Sequence, residues 1–541
     1  MASAVETPFQ TSGLVRLTRP QLFGTMAGLL LSVLLASLDQ TIVGTAEPRI
    51  IASLAGFNRY PWVSTAYLLS STLAVPIFAK LSDIYGRKWF FLLGAASFVM
   101  TSALCGASGT LPLPFDGMNQ LILFRGLQGL GGGMMMGLAF TIIGDVFSPV
   151  ERGKYQGFFA ATYGLSSIFG PTLGGWLTDQ ISWRAVFYVN LPVGVIAITA
   201  IYLYFPYWRP HGIHRRIDWA GTFSLIGCMV PLLLALTWVT EYGWGSARVE
   251  SLLAVAALML GAFLYAETKA LEPMIPLSLF RDPVISLSSM AVFVLGLGMF
   301  GLIIYLPLFM QGVMGVSATQ SGNLLTPLLI GSVIGSITTG QLNLRMRTYK
   351  PQAVVGSVLI AAGTILFARM DATVQHAEVV RNMVIAGIGM GLLMPVYTVA
   401  VQNVAPRKYM GAATASTTFF RQIGSTVGVA LFGSVLLTHY HHDFDNRVPA
   451  GIPAGALQHF YNPLTLPQFR AELEATFGKL AGGPALLDTL MGNVRAALVH
   501  GLQLIFLASA VVMTVAIVLN VFLRNVPLRH HSADPTEPPA H

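Results

Sequence analysis

Apolar segments long enough to cross a bilayer recur along nearly the whole of this 541-residue chain. A hydrocarbon core is crossed by about 20 residues of helix, so each such run has one economical fate. Composition agrees: 54% of the residues are hydrophobic and 10% charged, where soluble domains carry about a quarter charged. An ordinary soluble fold is excluded. Apolar runs between charged or Pro/Gly connectors predict a first set of helices near 22–46, 61–79, 89–108, 119–143, 154–178, 184–207, 218–240 and 251–267. A second set follows near 285–311, 320–343, 352–369, 381–402, 411–438 and 498–523. Arg16 and Arg19 precede an apolar run that begins at Leu22 and is too long for a cleaved signal, so it is the first span.

The total of about fourteen is even and puts both termini on one side. Basic residues concentrate in short cytoplasmic loops. With the N-terminus inside, Lys80, Arg87, Lys88, Arg152, Lys154, Arg209, Arg215, Arg216, Arg345, Arg347 and Lys350 fall in such loops, while the outer ones hold few. Topology therefore accounts for the net charge of +8, and the dispersal of Lys and Arg among connectors argues against nucleic acid. Cys105 and Cys228 lie inside apolar segments without metal-ligand spacing and read as small core hydrophobes. The connector 439–497 breaks the short-loop pattern and is expected outside the cell, with Pro449, Pro453, Pro463 and Pro467 and a helix-compatible stretch near 468–479. His439, His441, His442 and Asp443 in it have no fixed geometry and read as solvated loop. The tail 524–541, Pro- and His-rich, is expected to be disordered and cytoplasmic.

Basic turns follow the second and tenth helices, as Ala79–Lys88 and Gly340–Lys350, a weak internal repeat of the kind from which many transporters are built. The first of these, with Asp83, Gly86, Arg87 and Lys88, resembles the signature loop of the major facilitator superfamily. Leu121–Gly129, containing Arg125 and Gln128, is similar to that superfamily's fourth-helix motif, and Gly164, Gly170, Pro171, Gly174 and Gly175 resemble its antiporter motif. Leu38–Val43 and Trp183–Pro192 resemble the fourteen-helix drug:proton antiporter branch. Two departures stand out, Ala79 for the loop's opening glycine and Glu47 before Pro48 where this branch usually has an apolar residue.

The resemblance implies an all-α integral membrane fold with an N-terminal tail 1–21, a six-helix bundle 22–207, two additional helices and linkers 208–284, and a second six-helix bundle 285–523. It also implies a proton-coupled exporter of small amphiphilic or cationic compounds in the cell's inner (plasma) membrane. The expected partners are the substrate, protons and lipid. No cofactor or metal is required, the working unit is expected to be a monomer, and an accessory periplasmic partner is left open. The alternative is an exporter of an endogenous metabolite or lipid. A proton-conducting subunit of a respiratory enzyme would need mid-membrane lysine relays, which the sequence lacks.

Charges inside apolar runs are the candidate site, because a carboxylate at mid-membrane costs about 2.5–3.5 kcal/mol on insertion scales. Asp39 and Arg125 lie at similar depth and are expected to pair, with loss of water favouring the neutral acid and the guanidinium favouring the anion. Asp39 is the expected protonation or cation site, and Arg125 acts electrostatically. Glu47 sits two turns beyond Asp39, either as a coupling group at the outer mouth or as a solvated acid at a helix end. Arg421, near the middle of the thirteenth helix, is expected either to bind backbone carbonyls or Gln422 or to face the cavity and attract an anionic substrate group. Asp83, Arg87 and Asp145 are expected to form a cytoplasmic latch that breaks as the protein opens inward. The glycines and Pro171 of the antiporter motif are expected to permit close helix contact and bending.

Overall fold

The computed structural model describes residues 17–147, 149–207, 218–270, 273, 275–406, 410–449, 452, 457–464, 466–478 and 483–527. The far part of the expected disordered tail, 528–541, and the side chain of Asp83 lie outside the described residues. The elements are helical: α1 (Arg19–Leu54), α2 (Tyr60–Tyr85), α3 (Arg87–Gly106), α4 (Gly117–Val146), α5 (Pro149–Gln180), α6 (Ala185–Tyr188), α7 (Asn190–Tyr204), α8 (Trp219–Tyr242) and α9 (Ala247–Lys269) come first. Then follow α10 (Pro283–Leu308), α11 (Ala318–Met346), α12 (Lys350–Ala368), α13 (His376–Val404), α14 (Met410–Asp445), α15 (Leu466–Phe477) and α16 (Gly483–Phe522). Among the described residues, twelve helical segments are long and apolar enough to cross a membrane, against about fourteen expected. Helices α2 and α5 fall outside that set, although at 26 and 32 residues they exceed the necessary length.

Side chains set several starts. Asp282 accepts from the amides of Val284 and Ile285 ahead of α10, and Ser317 with Gln320 forms a capping box on α11.

Packing repeats. In the first half α1 lies against α5 and α7, and α2 and α3 against α4; in the second, α10 lies against α14 and α16, and α11 and α12 against α13. Glycine makes the equivalent crossings equally tight. A Cβ on Gly131 would stand 2.7 Å from the carbonyl oxygen of Gly94, and one on Gly389 would stand 2.7 Å from that of Gly356. Small residues let membrane helices approach closely where water supplies no driving force. Helices α8 and α9 pair with each other, and α8 bridges α2 and α14. Only 17% of α9's apolar window is buried, and Leu258 and Tyr265 are each 67% exposed, the surface expected of a helix facing lipid.

Two helices run further than their apolar stretches. Helix α1 continues through Pro48 to Leu54, and α16 begins at Gly483, well before the span expected at 498. The connector 439–497 is accordingly mostly helical, comprising the end of α14, a 3-10 turn at Gln458–Tyr461, α15 and the first turns of α16. Phe444, Phe460, Leu473, Phe477 and Leu490 are buried together in it, continuous with the apolar core of the bundle. The Tyr440 hydroxyl donates to the carbonyl of Phe460 at 2.6 Å. Asp443 accepts from Arg447 at 3.1 Å and lies 3.1 Å from His500, so part of the histidine-rich stretch is tied into this insert.

Candidate functional site

Asp39 is wholly buried in α1, and Arg125, in α4, is 2% exposed. An Arg125 Nη donates to Asp39 Oδ2 at 2.5 Å and to Gln128 Oε1 at 2.8 Å. The other carboxylate oxygen, Oδ1, accepts from Gln128 Nε2 at 2.9 Å and from Asn190 Nδ2 at 3.0 Å. Asn190 also donates to Ser102 Oγ, which in turn donates to the Phe187 carbonyl. Arg125 Nε reaches the carbonyl of Val63, and its guanidinium lies 4.3 Å from the centre of the Tyr67 ring. Every polar partner of Asp39 in this set is an N–H donor, an environment suited to an ionised carboxylate, which only accepts. Three helices, α1, α4 and α7, thus meet at one carboxyl group, and Asn190 links it on to α3 through Ser102.

Arg125 also borders a cavity of about 120 Å³ between the halves. Gln40, Thr41, Ser64 and Tyr67 line it from the first half, and Met299, Ile303, Met390 and Met394 from the second. The flexible, polarisable methionines suit contact with varied apolar shapes.

The antiporter-motif residues occupy two interfaces. Gly170 and Gly174 press α5 onto α1, where added Cβ atoms would lie 2.0 Å from Thr41 Oγ1 and 2.5 Å from the Ile42 carbonyl. Gly175 and Pro171 face the other half. A Cβ on Gly175 would lie 2.3 Å from the Ala318 carbonyl, and the Pro171 carbonyl stands 2.1 Å from where Gly322 would carry its own. Gly164, in contrast, meets nothing within 4 Å and is no close-packing position.

At the end of the bundle where α1 turns into α2, further contacts join the halves. Tyr60 and Tyr305 stack with ring centres 5.6 Å apart, Phe57 meets Tyr440 edge-on at 5.3 Å, and Gln311 Nε2 donates to the Thr45 carbonyl at 2.8 Å. Asp179, at the end of α5, accepts from the Thr319 amide and hydroxyl at 2.7 and 2.6 Å. The Ala318 amide adds a bond at 3.3 Å. A carboxylate is favourable there because the first turn of α11 presents unpaired N–H groups.

Glu47 lies in this closed end, fully buried within α1. The reading of a solvated acid at a helix end is thus corrected, since α1 runs on past Pro48 and the chain covers the side chain. Ser64 Oγ approaches both carboxyl oxygens, at 3.3 and 3.2 Å.

At the opposite end, the turn of Gly86 (φ 102°) separates α2 from α3. Arg87 Nε donates to Asp145 Oδ2 at 2.8 Å and its Nη1 to Ser82 Oγ at 2.7 Å. Lys88 Nζ donates to the Tyr202 carbonyl at 2.7 Å. All these partners lie within the first half, so the cluster ties α2, α3, α4 and α7 together. Arg421 is half-buried, and among the described residues its guanidinium has no hydrogen-bond or ion-pair partner; the expected bonds to backbone carbonyls or Gln422 are not formed.

Sequence reasoning missed Asn190 as a partner of Asp39, Ser102 behind it, and Asp179 as a tie between halves. Asn190 was visible as an amide inside an apolar run. Asp179 was signalled by an acid ending α5 together with the Ser317–Gln320 capping box that marks a helix start.

The family model described as Major Facilitator Superfamily matches residues 29–429. The chain is 37% identical to "Multidrug transporter protein MdtP" of Bacillus subtilis (strain 168), with 94% of each chain covered. It is 34% identical to "Multidrug resistance protein 3" of the same strain, over 92% of this chain and 94% of that one. Its fold is similar to that of a bacterial homolog of the human lysosomal transporter Spinster, with a TM-score of 0.64 at 17% identity, covering 94% of this chain and 99% of the other.

Proposed function

The chain belongs to the major facilitator superfamily, and from that premise we propose that it exports small amphiphilic or cationic compounds in exchange for protons. The observation that carries the reading is the buried Asp39 carboxyl, held by Arg125, Gln128 and Asn190 beside a cavity lined from both halves. A proton on Asp39 cancels the charge that holds Arg125, so proton arrival loosens the contact between α1 and α4 and alters the field at the cavity. Departure of the proton restores it. The basic turn at Gly86–Lys88 supports a cytoplasmic position for that end, by the bias of short loops. The α1–α2 end is then the outer face, and the contacts across it make this state closed outward.

Two relatives named for multidrug transport and resistance support export of unlike compounds, as do the methionines of the cavity wall. The proton gradient is sufficient as an energy source, its electrical part supplying about 2.3 kcal/mol per charge per 100 mV. The test is efflux of a fluorescent amphiphilic cation from cells with and without this chain. The chain is expected to lower dye accumulation, and a protonophore to remove the difference. Uphill export that persists at full rate with the protonophore contradicts proton coupling.

A further inference from the structure

Glu47 differs from Asp39 in a way that their shared helix makes plain. Asp39 is surrounded by N–H donors, including a guanidinium, whereas the only hydrogen-bond partner of Glu47 among the described residues is the hydroxyl of Ser64. Both are fully buried. Burying a charge with so little hydrogen bonding is costly, and among the described residues the closed interface around Glu47 offers no cation or N–H group in hydrogen-bond contact to offset one.

Its place gives this consequence. The titratable and charged groups that face Glu47 are Tyr60 of α2, Tyr305 of α10 and, more remotely and without a hydrogen bond, Arg125 of α4. Tyr60 and Tyr305 are the stacked pair that joins the halves. The Tyr60 hydroxyl is buried without a hydrogen-bond partner, and the Tyr305 hydroxyl is committed to the Val429 carbonyl at 2.8 Å. Two residues before Glu47, the Thr45 carbonyl takes the inter-half bond from Gln311. The Arg125 guanidinium is engaged by Asp39 and Gln128.

We propose that Glu47 is a proton-operated lock on the outer gate: the halves close over it only as the neutral acid, and separation of Tyr60 from Tyr305 lets water reach it as the carboxylate. The inference rests on the exporter reading above and adds a second proton-dependent step, the closing of the outer face. A proton taken from outside neutralises Glu47, the tyrosine stack re-forms, and the transporter is returned to its inward-accessible state. No covalent chemistry is involved, only the transfer of one proton from outer water to a carboxylate oxygen and its later return.

The experiment measures the gate rather than transport. Spin labels at Asn58→Cys and Thr438→Cys, both exposed positions flanking the Phe57–Tyr440 contact, report the outer separation in purified, substrate-free protein in lipid nanodiscs. The wild-type gate is expected to give a single short distance in acid buffer and a growing longer population in alkaline buffer. Glu47→Gln, a permanent analogue of the neutral acid, is expected to stay short in both. Glu47→Leu is expected to behave in the same way and serves if the Gln variant does not fold. A wild-type distance indifferent to pH overturns the proposal, and so does a pH response that survives in both variants. Because no substrate or gradient is present, this result is independent of whether export is proton-coupled through Asp39.

Discussion

Helices α5 and α11 are packed tightly at one end and carry open, exposed positions toward the other. Near Gly175 and Gly322 each backbone lies so close to its partner that a single added carbon would clash, and Asp179 spans the seam to the first turn of α11. Toward the other end Gly164 and Gly340 meet nothing within 4 Å, and Leu165, Val333, Ile334 and Ile337 are 39–57% exposed. The same two helices are thus tightly packed at the seam and open to their surroundings around Gly164 and Gly340. The ion pairs follow a different rule. The Arg87–Asp145 pair, at the other end, joins α3 to α4 within the first half. The Asp179 strap and the tyrosine stack, in contrast, cross between the halves.

The sharpest way to break this contrast is to fill the tight crossing. Gly175→Leu should force the halves apart at the outer end, since overpacking a well-packed contact costs about 1–3 kcal/mol, roughly 5- to 160-fold in the ratio of closed to open gates. Spin-label distances across the outer face should lengthen and efflux should be lost. An unchanged distance would show that the seam yields without parting. A smaller effect is expected from Asp179→Asn, which weakens the strap but keeps its shape. The site is exposed to water, so its contribution is under about 1 kcal/mol, and the open population should rise by no more than about fivefold. The smallest effect belongs to Gly164→Leu. With open space around it, stability and efflux should stay within about twofold of wild type, and a large loss would mean that the open end closes tightly on Gly164 in another state of the cycle.

Much of this architecture was legible in the chain because lipid demands long apolar runs, and the packing repeat echoes the two basic turns after α2 and α11. The Asp39–Arg125 pairing was legible for the same reason, as two charges at similar depth have few other ways to be tolerated. Where reading by hydropathy fell short, polar residues interrupted helices that continue. Pro48 hid the last turns of α1, and with them the burial of Glu47. Asp488, Asn493 and Arg495 hid the first turns of α16, yet Arg495 is accommodated there by bonds to the carbonyls of Val313 and Ala372. Asn190 escaped notice as a site residue because an amide in a membrane helix has many uses, and only the fold brings it to Asp39.

The central claim is that the buried carboxyl of Asp39 exchanges the protons that drive export. Its most direct test is transport of an amphiphilic cation by purified protein in vesicles under an imposed pH gradient, comparing wild type with Asp39→Asn. Asparagine keeps the size of the side chain and removes the group that titrates. Wild-type protein should accumulate the cation against its gradient, and the variant, folded and inserted to the same extent, should carry out no proton-driven accumulation. Wild-type accumulation by Asp39→Asn would contradict the account.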